Sequence, residues 1–590
     1  MIAPVQMHRE VARAPETASR RRWDPWLAVV LGVAALLGLY QLDWGIAVGT
    51  EDWTHSWTVD ALEPLTVLGI VHRSFSGWNS GWFYFKYPLG YPLMLSAALA
   101  PYLGYIFATG GLHRLTGAYP YGFAQPEHTL FVLAILQRSL NVLFTIGTVA
   151  LVFGIGRRLF GRRVAVLGAW FVATCYPVIY YAHTSNVDAS YVFWLVLALY
   201  CAIAARTSER RWPWVGMGLA AAMALSTKEQ AFGFLLPLPV LVLIERVRSP
   251  GSLRVCWRPV LLMAATAIIT LVLANNILFN PLGFVARLAF LLGHPLKPVT
   301  VPLKPVEFAW FKGGLELTYL RQLGEALDSG FGLPLAGLVV VGAALVAWQA
   351  PRDALWLLVP MGTYYYLSLR GQQLITLRYS LPFLVVAALL AAALLDGLHR
   401  RARQAVVRGS AAALILALGV LALGRGIELD LLLRGDSRHQ AEAWMRTHLP
   451  DGARGEVYQK PTYLPRFPRR LQVNYVAMEQ RSVADFQSRR PDFVVLSSAS
   501  LKSISHIWNP DWRTTRTMLL EVPNASQFVV ALRGGALGYH RVAIFRQHPR
   551  LLRMRTTGLC PEIAVYVANG STVSAPPEAP SDAGGGPPDR

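Results

Sequence analysis

The residues with chemistry to offer stand at the edges of apolar stretches. Asp60 follows the first of these, in HSWTVDALEP; Lys86 and Tyr87 stand in FYFKYPLGYP; His183 and Asp188 fall in YYAHTSNVDASY. Lys228 and Glu229 occupy ALSTKEQAF, and Arg378 with Tyr379 opens RYSLPFL. A carboxylate can take the proton of an attacking hydroxyl. A Lys or Arg can hold a phosphate and go on holding it as it departs with its charge. Two carboxylates facing two or three cations at a lipid-accessible rim suit an anionic, amphipathic substrate. On this reading Asp60 and Asp188 work on protons, while Lys86, Tyr87, His183, Lys228, Glu229, Arg378 and Tyr379 bind. Ionisable groups so near a membrane are costly to keep, which favours a functional reason for them.

Each also has a plainer reading. Lys228–Glu229 reads as an ordinary polar turn, Asp188 as a helix cap, and Arg378 as an arginine snorkelling to the interface. His183 suits a hydrogen-bonded structural histidine. The rings of Trp78, Trp82, Phe83, Tyr84 and Phe85 suit an interfacial belt better than sugar stacking. Order along the chain and a shared side of the membrane are what join these residues into a site, so the topology decides.

The elements that must position them are membrane helices. The chain has 590 residues, 54% hydrophobic and 15% charged, with a mean hydropathy of +0.38. A soluble chain carries nearer a quarter charged residues, roughly 25%. Apolar runs of about 18 residues or more recur along most of the chain, which reads as a polytopic α-helical membrane protein. The net charge of +21 would suit nucleic acid, but the arginines are shared out between apolar runs in the positive-inside pattern, which argues against that partner. Cys175 and Cys201 lie in apolar runs, Cys256 in a basic loop and Cys560 far away, so neither a disulfide framework nor a metal spacing is present. Arg20, Arg21 and Arg22 precede an apolar run without a small-residue cleavage site, which predicts an uncleaved first helix after a cytoplasmic segment 1–25.

The segment 88–110 sets the topology. It holds Pro88, Pro92 and Pro101, which remove backbone donors and break helix. If it crossed the membrane, the arginine-rich loops 156–163, 206–211, 245–258 and 399–408 would all face outward. The charge bias therefore predicts an interfacial or re-entrant segment. The spans are then roughly 26–42, 129–155, 164–182, 189–205, 213–227, 231–245, 258–279, 333–350, 354–369, 374–395 and 409–426, about eleven in a membrane domain over 26–427. Loops 43–128 and 280–332 lie outside, the second with Pro-separated aromatic patches fit for the interface. From Ile427 the composition becomes that of a soluble domain. Residues 428–570 predict a small extracytoplasmic α/β domain, with a helix over His439–His448. Its strands are expected over Gly455–Gln459, Phe493–Ser497, Gln527–Leu532, Val542–Phe545 and Ile563–Val567. The Pro/Gly/Ser-rich tail 571–590 predicts disorder.

In order along the chain, SWTVDALEP with KYPLGYPLMLSAAL, GRRLFGRRVAVLGAWFVATCYPVIYYAHTSNVDASYVFWLVLAL, ALSTKEQAFGFLLPLPVLV and RYSLPFLVV resemble the GT-C superfamily of membrane glycosyltransferases. Within it they are similar to bacterial relatives of protein O-mannosyltransferases and of the aminoarabinose transferases acting on lipid A. The likeness covers most of residues 40–400. It implies transfer of a sugar from a polyprenyl-phosphate donor to an extracytoplasmic hydroxyl of a lipid, glycan or protein, with inversion, at a bacterial cytoplasmic (inner) membrane. It implies Asp60 as the base, Asp188 as the second-loop acid, Lys228–Glu229 as the Lys-Glu turn and Arg378–Tyr379 as the Arg-Tyr pair. One departure bears on the base: relatives usually carry an Asp-Glu pair just after the first helix, and here Glu51 and Asp52 stand there as the alternative. No cofactor is demanded, although Asp60 and Asp188 could share a divalent cation. Two other classes share part of this pattern. A transporter or flippase for a lipid-linked sugar should show inverted repeats and broken helices, which the sequence does not display. A non-catalytic membrane scaffold would need neither Asp60 nor Lys228.

Overall fold

The computed structural model describes residues 24–47, 56–58, 60–75, 87–114, 116–247, 253–292, 316–370, 377–458, 461–476, 483–498, 523–547, 549–552 and 559–571. Glu51, Asp52, Lys86 and the aromatic run 78–85 lie outside these residues, as do 1–23 and 572–590.

Helices dominate as far as residue 434. In chain order they are α1 (Pro25–Leu39), α2 (Pro64–Phe75), α3 (Gly90–Ala108), α4 (Pro126–Leu159), α5 (Arg162–Ala173), α6 (Tyr176–Ala182), α7 (Asp188–Ala205) and α8 (Trp212–Thr227). There follow α9 (Ala231–Leu235), α10 (Pro237–Val247), α11 (Leu253–Ala274), α12 (Pro281–Leu291), α13 (Glu316–Phe331) and α14 (Leu333–Gln349). The series closes with α15 (Pro351–Tyr364), α16 (Leu381–Arg401) and α17 (Ala405–Arg434). Several open on proline, whose missing N–H is no loss in a first turn. Asp24 caps α1 through a bond from the Trp26 amide, 3.0 Å. Among the described residues, six helices are long and apolar enough to cross a bilayer, or up to eight if the bent pairs α5–α6 (58°) and α13–α14 (119°) count as one span each. The expected eleven spans exceed that number because several of the helices assigned to them are short, α10 having 11 residues and α15 having 14.

Burial sorts the helices. α7 and α16 are sheathed by others along most of their length, while α11 and α17 show their apolar sides outward. Such sides suit lipid, which asks no helix to hide them. Small residues bring the helices together: Cβ atoms placed on Gly147 and Gly154 of α4 would lie 2.6 and 2.7 Å from the rings of Phe193 and Tyr200 on α7. The arginine-rich ends gather at one end of the bundle. There Arg162 donates to Asp24 at 2.6 and 2.9 Å, and Arg206 donates to Asp353 at 3.0 Å.

The segment 88–110 differs from expectation in form. It is a continuous helix, α3, with Pro101 inside it and Pro92 in its first turn, where the lost donor matters least. Its 19 residues meet the length and composition of a span. Its path does not lead back across the bundle. α3 starts against the end of α8, where a Cβ on Gly90 would lie 2.6 Å from the Ser226 carbonyl. Its later residues Leu99 and Ile106 pack on Leu130 and Leu133, near the start of α4. α4 has 34 residues, about 51 Å at 1.5 Å per residue, far more than a hydrocarbon core of about 30 Å requires. α3 thus runs beside the part of α4 that overshoots the bundle.

After α17 the chain forms α18 (Ser437–His448), β1 (Arg454–Val457), β2 (Gln472–Tyr475), α19 (Val483–Arg489), β3 (Phe493–Ser497), α20 (Pro523–Arg533), β4 (Tyr539–Phe545) and β5 (Ile563–Ala568). The strands make one sheet in the order β2-β1-β3-β5-β4. β1 runs parallel to β2 and β3, and β5 antiparallel to β3 and β4. Trp444 and Met445 of α18 pack on one face, Phe486 of α19 and Phe528 of α20 on the other. Two elements differ from the sequence reading. Gln527–Leu532, expected as a strand, lies in α20: Phe528, Val529 and Leu532 are buried at helical spacing, a pattern that a short apolar run does not separate from a strand. β2 was not expected, because as an edge strand with mostly exposed residues it lacks an apolar signature.

Candidate active site

The candidate residues come from helix ends at the opposite pole from the arginine-rich loops. Asp188 is the first residue of α7 and Lys228 directly follows α8. Arg378 and Tyr379 lie in the turn before α16, Asp60 in the turn before α2 and Tyr87 just before α3. Asn141, within α4, ties several of these ends together. Its side-chain amide donates to the carbonyls of Thr184 and Asn186, 2.7 and 2.9 Å, and accepts from Tyr91 at 3.0 Å. The Leu62 amide donates to the Ser185 carbonyl, 3.3 Å, joining the Asp60 turn to the same loop.

Two ion pairs result. Lys228 Nζ donates to Asp188 Oδ1 at 2.7 Å, and both side chains are buried, 4% and 1% exposed. Arg378 donates to Asp60 Oδ2 at 2.5 Å, with 19% and 12% exposure. The first pair is interior and the second opens outward. Tyr379 lies between them: Lys228 Nζ is 4.5 Å from its ring centre, and Arg378 donates to its hydroxyl at 3.2 Å. Tyr364 secures Tyr379 by donating to its carbonyl, 2.9 Å. Arg378 also reaches the Tyr87 hydroxyl at 3.4 Å, and burial pushes that phenol well above its ordinary pKa, so it stays neutral. Asp60 has a φ of +63°, a left-handed conformation in which Asp is several-fold enriched over most side chains and which recurs at functional sites.

The plainer readings divide. Asp188 makes no side-chain cap; its Oδ1 serves Lys228, and its Oδ2 has no hydrogen-bond partner among the described residues. Arg378 is turned to Asp60 rather than extended to an interface. Glu229 points away from its neighbour Lys228 and pairs with Arg287 of α12. His183 is fully buried elsewhere: Nδ1 lies 2.9 Å from the Ile179 carbonyl and Nε2 2.6 Å from that of Tyr40. It joins α6 to the end of α1, which is the structural role open to it from the start. Among the described residues no three His, Cys, Asp or Glu side chains cluster as metal ligands would.

Sequence reading passed over Asn141, Tyr91, Tyr364 and Arg287. Asn141 had a signal, since it stands with Gln137 and Arg138 inside an apolar run. The tyrosines had none, because a tyrosine among apolar residues looks like packing until its hydroxyl finds a partner.

The bundle, with several helices long and apolar enough to cross a bilayer, is that of an integral membrane protein, and part of its chain is similar to a family of glycosyltransferases. Residues 134–279, from within α4 to just past α11, match the family model described as dolichyl-phosphate-mannose-protein mannosyltransferase. Among solved structures, ArnT from Cupriavidus metallidurans bound to undecaprenyl phosphate is similar, with 15% identity over 94% of this chain and 100% of that one, at a TM-score of 0.44. The oligosaccharyltransferase AglB from Archaeoglobus fulgidus, in complex with an inhibitory peptide and a dolichol-phosphate, shares 13% identity over 81% of this chain and 70% of its own, at a TM-score of 0.40. No curated protein sequence matches the chain.

Proposed function

We propose that the protein is a membrane glycosyltransferase that moves a sugar from a polyprenyl-phosphate donor to an acceptor hydroxyl on the extracytoplasmic side of a bacterial cytoplasmic membrane. The observation that carries this is the pair of carboxylate–cation contacts at one pole, Asp60–Arg378 and Asp188–Lys228, with Tyr379 between them. The arginine-rich loops at the other pole support this orientation, by the positive-inside rule.

The two pairs divide the work. Arg378 offers a planar fork that suits a phosphate as well as a carboxylate. A donor phosphate entering the open pair would compete with Asp60 for that fork. Asp60, relieved of its counter-ion, then gains proton affinity. It takes the proton from the acceptor hydroxyl as the oxygen attacks the anomeric carbon. The bond from that carbon to the phosphate oxygen breaks, and its electron pair leaves with the polyprenyl phosphate, which Arg378 and Lys228 stabilise. One displacement inverts the anomeric centre. Lys228, buried against Asp188, is held as a fixed charge that needs no reorganisation during the step. The soluble domain after α17 lies on the same side, and the acceptor is a lipid, glycan or protein hydroxyl.

The test is transfer or hydrolysis by purified protein in detergent with a panel of radiolabelled polyprenyl-phosphate sugars, wild type beside Asp60→Asn. Turnover by the wild type that disappears in the variant, at equal expression, supports the reading. A variant as active as the wild type removes Asp60 from the mechanism. Absence of turnover with every donor, together with equal lipid binding by both proteins, points instead to a carrier or scaffold.

A further inference from the structure

We propose that the domain after α17 is a working part of the active site, in which Arg438 and Arg466 grip Trp57 and thereby fix the turn that presents Asp60. This rests on the reading of Asp60 as the base. Trp57 belongs to the loop between α1 and α2, and its indole is almost completely buried. The groups around it come from the far end of the sequence. The Arg438 guanidinium carbon is 4.2 Å from the indole centre and that of Arg466 is 5.3 Å away. The His439 ring stands 4.6 Å from the same indole. A desolvated cation over a tryptophan face is among the stronger forms of this contact.

Neither arginine is free to drift. Arg438 is completely buried and pairs with Asp436 at 2.7 Å, and Asp436 also accepts from Trp44 Nε1 at 3.1 Å. The remaining edge of Arg438 donates to the Thr462 carbonyl at 3.0 Å, which holds the short turn Pro461–Tyr463. Burial, and after it the charge of Asp60, raises the phenol of Tyr463 in this turn above its ordinary pKa. Arg466 donates to the Ile46 carbonyl in the α1–α2 loop. The loop therefore hangs from the domain at its indole and at its backbone.

The grip passes to Asp60 through a short stretch of chain. The Trp57 amide donates to the Gly45 carbonyl, 3.0 Å, and the Ser56 amide to Glu63 at 2.8 Å. The second bond closes a loop over residues 56–63, whose start the first ties to Gly45, and Asp60 stands within it at positive φ. A backbone so bent keeps its direction only while both ends are held. Loosening Trp57 would let the Asp60 carboxylate swing away from Arg378 without touching Lys228 or Asp188.

The experiment compares wild type, Arg466→Gln and Arg466→Lys in detergent by hydrogen exchange of the peptide covering residues 56–63, and by steady-state transfer. Arg466 is partly exposed, so both variants should fold, as a thermal melt checks. Arg466→Gln is expected to speed exchange at Trp57 and Leu62 about tenfold, between the sizes of an exposed and a desolvated cation–π contact. The kcat for transfer should fall by a similar factor while KM for the donor holds, and Arg466→Lys should recover part of both. Unchanged exchange in Arg466→Gln overturns the proposal whatever the activity does. Faster exchange with an unaltered kcat overturns the link to Asp60. A wild type inactive with every donor counts against the proposed function, and the exchange result still decides whether the domain grips this loop.

Discussion

At the scale of the residue, the two ion pairs should answer differently to the same kind of change. Lys228 and Asp188 are buried together, and removing one partner of a buried pair strands the other charge, at a cost of about 3–5 kcal/mol. Lys228→Met should therefore lower the melting temperature sharply, and Lys228→Met combined with Asp188→Asn should recover most of it. Neither protein should turn over, because the cation that meets the leaving phosphate is gone from both. A thermal melt beside a transfer assay reads this; a double variant as unstable as the single one would contradict the pairing. Asp60 and Arg378 are more open to water, so Asp60→Asn should cost little stability while lowering kcat by about a hundredfold or more, the usual worth of a general base. The sequence displayed these four residues because a charge beside an apolar run is conspicuous. It did not display their pairing, since 318 residues separate Asp60 from Arg378. His183 and Glu229 were equally conspicuous and have other partners, Tyr40 with Ile179 and Arg287.

At the scale of the element, the site depends on α4 more than on the helices that carry the charges. Asn141 holds the loop before Asp188 through two donated bonds and holds Tyr91 through one accepted bond. Asn141→Ala leaves two buried carbonyls without this donor, each worth about 1–3 kcal/mol. We expect a lower melting temperature and a kcat reduced by roughly an order of magnitude, the scale set by slight misplacement of a reacting group. A variant with wild-type kcat would remove α4 from the positioning of Asp188. Gly147 tests the same helix from its other contact. Gly147→Val puts methyl groups where the Phe193 ring lies, and such overpacking costs about 1–3 kcal/mol, visible in the same melt. The helices were legible as apolar runs, and the arginine-rich ends gave their alternation. Less legible were elements whose residues do not reveal their neighbours. Pro101 predicted a break in α3, which proceeds through it, and the apolar run within α20 read as strand because six residues do not distinguish two periods.

At the scale of the whole molecule, charge and architecture point in one direction. Arg162, Arg206 and Arg246 share one end of the bundle, where they meet Asp24, Asp353 and the Ala205 carbonyl. The ion pairs, the overshoot of α4 and the five-stranded sheet share the other. α17 links the two ends, for its 30 residues rise about 45 Å and hand the chain to the sheet. Glu428, near its end, accepts the amides of Leu551 and Leu552 at 2.9 and 2.6 Å, so the sheet cannot turn to the other side without breaking from the helix that leads into it. On the proposed orientation, Glu209 lies inside and Asp451, in the turn before β1, outside. Both are exposed. With the four native cysteines changed to alanine, Asp451→Cys should react with a membrane-impermeant maleimide in intact spheroplasts, and Glu209→Cys only after permeabilisation. The opposite pattern would put Asp60 and Arg378 in the cytoplasm, where the acceptor would have to be a cytoplasmic hydroxyl and the extracytoplasmic reading would fall. Equal labelling of both positions without permeabilisation would mean that the two ends do not lie across a bilayer, and the membrane orientation drawn from the arginines would fall with it.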